Sequence, residues 1–241
     1  MNIGSKLTGF IALITSTLLA APSLAQSMPT DTNGHWARQC IEYLSRQGIM
    51  PTFPDGSFRP SLPMTRSEFA TILARAFPAS PFIRTYQDNT YADVTDTNWA
   101  IMPIRYTYET NFLSGFPVGT FSPQENVIRL HLVLAIASGL NAYFPSQRPE
   151  TILGRALNDA DQIPPYAREM VAAAIEDNLV VSFPSVRQFQ PQQVASRGEI
   201  AASLCQAQGS LGLVPLNYVV GNPAARPPNS FNRPPLQNLP F

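Results

Sequence analysis

Slid along itself by 63 positions, this chain falls on its own image. Trp36, Ala37, Ile41 and Tyr43 land on Trp99, Ala100, Ile104 and Tyr106. Phe53, Pro54, Gly56, Phe58 and Pro60 land on Phe116, Pro117, Gly119, Phe121 and Pro123, and Arg66 and Ala74 on Arg129 and Ala137. Those 11 ungapped identities between 36 and 77 exceed the two or three that chance gives at ordinary composition, roughly. A third copy follows at an offset of 67, carrying Trp99, Ala100, Ile104 and Phe116-Pro117 to Tyr166, Ala167, Val171 and Phe183-Pro184. From there the offset is 68, with Phe121, Pro123 and Arg129 falling on Phe189, Pro191 and Arg197, so the third turn has gained a residue. Self-similarity at such a period means one small unit that buries its apolar face against its own copies. The copies span 31–78, 91–141 and 157–208.

Each unit reads as helix, turn-rich loop, helix, which makes the chain all-α. Trp36, Cys40 and Tyr43-Leu44 form an apolar stripe at helical spacing in "HWARQCIEYLSRQGI". The stripe stops at Gly48, with Asn111 and Asn178 as its equivalents, residue types that accept the left-handed conformation after a helix. Pro103 falls inside the proposed helix of the second copy, which therefore starts near it or is kinked. In "TRSEFATILARAF" the buried stripe is Phe69, Ile72, Leu73 and Ala76. Thr65 with Glu68, and Ser196 with Glu199, form capping boxes, whereas the second copy has Ile128 and His131 there. The intervening "FPDGSFRP" is a turn pinned by its flanking aromatics. A calcium loop needs several oxygen ligands, and only Asp55 qualifies.

Outside the repeats the chain is less regular. Lys6, the apolar run "LTGFIALITSTLLAA" and the small Ser23 and Ala25 mark residues 1–25 as a secretory signal peptide, with a retained anchor as the alternative. No later run is apolar for long enough to span a bilayer. The mature chain would hold 15 Arg, no Lys and 16 Asp+Glu, a net charge of 15 − 16 = −1. That balance argues against nucleic acid, which needs a basic footprint. In an oxidising compartment Cys40 and Cys205 either form a disulfide or stay as two buried thiols. Residues 209–241, rich in Pro and without periodicity, read as an extended or disordered tail.

Chemistry-bearing constellations are scarce. His35 and His131 occupy non-equivalent positions, no nucleophile or phosphate-loop signature occurs, and no cofactor or metal is implied. The chain reads as a binding protein rather than an enzyme. Arg66, Arg129 and Arg197 stand out, because each sits in the first turn of a helix, where the dipole disfavours a cation. Each either bridges to a neighbouring carboxylate or to carbonyls of the adjacent unit, or points its fork at an anionic ligand.

"HWA" before an apolar helix, then "FPDGSFRP", then "TRSEFATILARAF" resembles the S-layer homology domain, with the likeness running over about 31 to 208. The resemblance implies three repeats in pseudo-three-fold arrangement, with ligand grooves between them holding an anionic cell-wall glycan. It assigns glycan contact to Arg66 with Thr65 and Glu68, to Arg197 with Ser196 and Glu199, and to Arg129, whose groove lacks the cap residues. Trp36 and Trp99 could stack on sugar or sit in the core. The expected partner is a peptidoglycan-linked or secondary cell-wall polysaccharide, and the expected place is the periplasm or cell envelope. The rival reading is an envelope interaction or assembly factor in which the fold and the tail bind another protein.

Overall fold

The computed structural model describes residues 28–87, 90–210 and 212–221. The signal segment 1–25 and the tail from 222 onward lie outside the described residues. Seven α-helices are present among them: α1 (Arg38–Arg46), α2 (Arg66–Ala76), α3 (Ile101–Glu109), α4 (Arg129–Gly139), α5 (Pro149–Ala156), α6 (Arg168–Glu176) and α7 (Arg197–Ala207). The repeats are α1–α2, α3–α4 and α6–α7.

Local sequence explains the ends of these helices. Gly48, Asn111 and Asn178 have φ of 70°, 64° and 58°, so each first helix is stopped by a left-handed residue. Both capping boxes form: the Glu68 N–H donates to Thr65 Oγ1 at 3.3 Å and the Thr65 N–H to Glu68 Oε2 at 2.8 Å. Ser196 and Glu199 repeat the same pair of distances. Pro103 is the third residue of α3, in the first turn, where a missing N–H leaves no intrahelical bond unmade. The first helices start later than the apolar stripe suggests, because Trp36 lies in the turn before α1.

The loop between helices is held from inside its own repeat. Asp31 accepts the N–H groups of Phe58 and Arg59, both at 2.7 Å. Asp93 does the same for Phe121 and Ser122, and Asp159 for Phe189 and Gln190. Arg59, Ser122 and Gln190 have φ of 57°, 55° and 50°, so consecutive amides turn toward one carboxylate. The second aromatic of each loop, Phe58, Phe121 or Phe189, is thereby driven into the core at 1% exposure or less. Each burial stabilises by about 2–3 kcal/mol.

The repeats close into a ring. Helix α2 packs on α3, α4 on α6, and α7 on α1. Met64, Val127 and Ala195, equivalent and all buried, meet at the hub. There the Val127 N–H donates to Met64 O (2.9 Å) and the Ala195 N–H to Val127 O (2.8 Å). The segments before α2, α4 and α7 pair as isolated bridges, Thr65 with Asn126, Ile128 with Val194 and Pro63 with Ser196.

Two elements depart from the sequence reading. Helix α5, in the link between the second and third repeats, packs on α6 and has no counterpart among the described residues of the other link. Residues 212–221, read as tail, fold onto the third repeat. The Ser182 N–H donates to Tyr218 O (2.8 Å), the Val220 N–H donates to Val180 O (2.9 Å), and Val219 and Val220 are buried. A run of apolar side chains thus carries the globular part past 208.

Candidate functional site

The three first-turn arginines lie at equivalent joints between repeats. Arg66 Nε donates to Phe121 O at 2.6 Å and Nη2 to Ser114 O at 2.9 Å, both in the second repeat. Arg129 Nε donates to Phe189 O at 2.6 Å and Nη2 to Ser182 Oγ at 2.7 Å, both in the third. Arg197 returns to the first, with Nε on Phe58 O at 2.9 Å and Nη2 on Pro51 O at 3.3 Å. All three side chains are buried. The backbone repeats the pattern: the Arg66 N–H donates to Glu125 O, Arg129 N–H to Gln193 O, and Arg197 N–H to Leu62 O, within 2.9 Å. The positive helix end therefore meets carbonyls of the next repeat, and other oxygens of that repeat receive the guanidinium. Partners of that density offset the unfavourable dipole position.

Beside each joint lies a groove made by three repeats at once. Groove 1, about 230 Å³, is lined by Phe53, Pro54 and Glu68 of the first repeat, Trp99 of the second and Arg197 of the third. Groove 2, about 550 Å³, has Phe116, Pro117 and His131 of the second repeat, Tyr166 of the third and Arg66 of the first. Groove 3, about 1130 Å³, has Phe183, Pro184 and Glu199 of the third repeat and His35 and Trp36 of the first. Each groove takes loop and helix from one repeat and an aromatic from the following one; the preceding repeat adds an arginine to grooves 1 and 2 but Asn126 to groove 3.

The grooves differ where it matters chemically. Groove 3 is lined by Glu199 and not by Arg129, which lies buried behind it with Nη1 ion-paired to that carboxylate. Trp36 is only half-buried but lies flat on Phe183, with ring centroids 5.1 Å apart, and Tyr218 packs edge-on against both. Residues 212–221 thus place an aromatic of their own in that groove. In groove 1 Glu68 acts on Arg197 more strongly than Asp31 does, and Trp99 stands 63% exposed on the rim.

In groove 2 the position of Glu68 and Glu199 is held by His131. Among the described residues no carboxylate ion-pairs with Arg66 and its Nη1 meets no hydrogen-bond partner. The guanidinium lies over the Phe116 and Phe121 rings, 4.8 and 4.6 Å from their centroids. Burial pulls the Arg66 pKa down, opposed by Tyr91, Glu125 and Asp93. Burial, with Arg66 adding to it, also pulls His131 below its ordinary value, against an upward pull from Glu125. Tyr91, beneath the groove, is pushed up to about 12 by burial and accepts the Gly115 N–H at 2.8 Å. A Cβ on Gly115 would come within 2.2 Å of the Tyr91 ring, so this wall needs glycine. Tyr166, 73% exposed, stands at the mouth.

The residues singled out in the sequence are thus regrouped. Thr65 and Ser196 serve as caps, and Glu68 and Glu199 combine capping with facing an arginine from another repeat. Trp36 and Trp99 occupy equivalent grooves in different states. Sequence reasoning missed Asp31, Asp93 and Asp159, whose spacings of 62 and 66 fall one short of the repeat offsets.

This arrangement coincides with a known pattern. A model described as the S-layer homology domain matches residues 30–70, 90–132 and 156–201, over half of the chain.

The chain belongs to the S-layer homology family.

Its relatives include cell surface glycoprotein 1 of Acetivibrio thermocellus, 26% identical over 158 residues, 64% of this chain and 7% of the glycoprotein. The cellulosome-anchoring protein of the same organism is 30% identical over 109 residues, 45% of this chain and 24% of the relative. Outer membrane protein SlpA of Deinococcus radiodurans is 42% identical over 59 residues, 23% of this chain and 5% of SlpA. The chain corresponds to less than a quarter of the length of each of these relatives. Some other relatives are enzymes, among them an exoglucanase matched over 15% of its length, so the S-layer homology part is what is shared. Among the described residues no helix is long and apolar enough to cross a membrane.

Proposed function

We propose that this S-layer homology module anchors to the cell wall by taking an anionic glycan into its inter-repeat grooves, with groove 2 as the principal site. The observation that supports this is the unbonded edge of Arg66 beside His131, where the other two grooves carry a carboxylate. A carboxylate or phosphate substituent would meet the guanidinium fork and the imidazole, and Tyr166 would cover a sugar face. Groove 1 offers the same plan with Trp99 and a competing Glu68. Two weak contacts on one polymer reinforce each other through effective concentration. The printed roles of the relatives, surface glycoprotein and cellulosome anchor, agree with a tethering part.

Co-sedimentation of the pure protein with purified wall sacculi tests the reading. Wild type is expected in the pellet, His131→Glu in the supernatant, and Tyr166→Ala and Trp99→Ala in between. The arginines are unsuitable probes, since truncating them also removes hydrogen bonds between repeats. Failure of wild type to pellet overturns anchoring. Unchanged pelleting of both His131→Glu and Tyr166→Ala overturns the groove mechanism while leaving anchoring intact.

A further inference from the structure

The ring has three equivalent helix contacts, and only two are tied by peptide. The link from α2 leads into α3, and the link from α4 leads, through α5, into α6. The third contact, α7 on α1, joins the last repeat to the first with no chain between them. Noncovalent packing, the Arg197 bonds and the Pro63–Ser196 bridge are what hold it.

Cys40 lies on α1 and Cys205 on α7, and both are fully buried in the common core. Both are free thiols on the two helices that pack at this joint, close enough for Cys40 to act on the Cys205 thiol, although 165 residues separate them in the chain. The corresponding pairs at the other two contacts are Ala74 with Pro103 and Ala137 with Met170, neither of which can be cross-linked. We propose that Cys40 and Cys205 form a disulfide that covalently closes the three-repeat ring at its one untied joint.

The chemistry balances by thiol–disulfide exchange with an external disulfide of the glutathione or thiol-oxidoreductase class. One protein thiolate attacks that disulfide and expels a thiol. The second protein thiolate then displaces the other thiol, leaving the Cys40–Cys205 bond. The protein loses two protons and two electrons, and one external disulfide becomes two thiols. Contact with Cys40 and burial push the Cys205 pKa up, which disfavours the attacking thiolate once the ring is shut. Both positions are fully buried in the closed ring, so an external disulfide reaches the thiols while α7 is still docking on α1, and the bond once formed is shielded from reductants.

The full chain is refolded with oxidised and reduced glutathione, then denatured without reductant and titrated for thiols. The expected result is no free thiol, a mass ~2 Da below that of the reduced protein, and a monomer on non-reducing gels. Full reduction in denaturant followed by refolding is expected to lower Tm by about 10 °C, the shift that constraining so long a loop implies. Cys205→Ala places the residue found at 74 and 137 and is expected to fold, with a Tm indifferent to reductant. Two titratable thiols after oxidative refolding would overturn the proposal. So would a bond found only between two chains, or a Tm unchanged by reduction.

Discussion

Arg129→Met asks whether the inter-repeat arginines are locks or ligand forks. Arg129 is 2% exposed and donates to Phe189 O, to Ser182 Oγ and to Glu199, whose side chain is 11% exposed. Methionine fills a similar volume but leaves the Glu199 charge behind, buried and unpaired. Removing one partner of such a pair costs about 3–5 kcal/mol. For a domain of this size that lowers Tm by about 10 °C. Arg66→Met orphans no carboxylate and forfeits two hydrogen bonds to carbonyls, so it should cost about 1.5–3 kcal/mol. Adding Glu199→Gln to Arg129→Met removes the stranded charge and is expected to restore roughly half the loss. Urea unfolding followed by circular dichroism at pH 7 measures wild type, these three variants and Glu199→Gln alone. A cost below about 1 kcal/mol for Arg129→Met would refute the lock. So would a double variant as unstable as the sum of its parts.

Asp93→Ala removes the acceptor of two backbone N–H groups and should destabilise by about 2 kcal/mol in the same assay. Ser122→Gly, at φ 55°, relieves a left-handed residue and should raise stability by about 0.5–1 kcal/mol, read from the urea midpoint. Burial depresses the folded pKa of His131 and also that of His35, so the unfolded chain takes up protons first as pH falls. Their stabilising contribution is complete above the unfolded pKa of 6.5 and is lost as pH falls through the lower folded values; His131→Gln should flatten, not abolish, that slope in melts between pH 7.5 and 5. A bound anion would raise the His131 pKa, so co-sedimentation with sacculi should strengthen over the same pH fall and lose this trend in His131→Gln.

Much of the fold was legible because the repeat is local chemistry written three times. Left-handed stops at 48, 111 and 178, capping boxes at 65 and 196, and core aromatics at 58, 121 and 189 act within a few residues of chain. Their recurrence announced three helix–loop–helix units. The candidate site was read less well. Sequence grouped each arginine with the cap residues beside it, and on that grouping His131 looked like decay of the second repeat's own site. In the ring each arginine reaches forward by one repeat, so His131 belongs with Arg66, Glu199 with Arg129 and Glu68 with Arg197.

The sequence by itself determined the unit, its number of copies and its helix boundaries to within a turn, since those follow from backbone conformational preference and apolar periodicity. Only the tertiary structure decided which charges face one another, which aromatic is covered and which joint has no chain across it. Trp36 and Trp99 are the same residue in the same motif, yet one lies stacked under Phe183 and Tyr218 while the other stands free. The difference arises because a groove is assembled from three repeats and a late segment, so its chemistry depends on residues far apart in the chain.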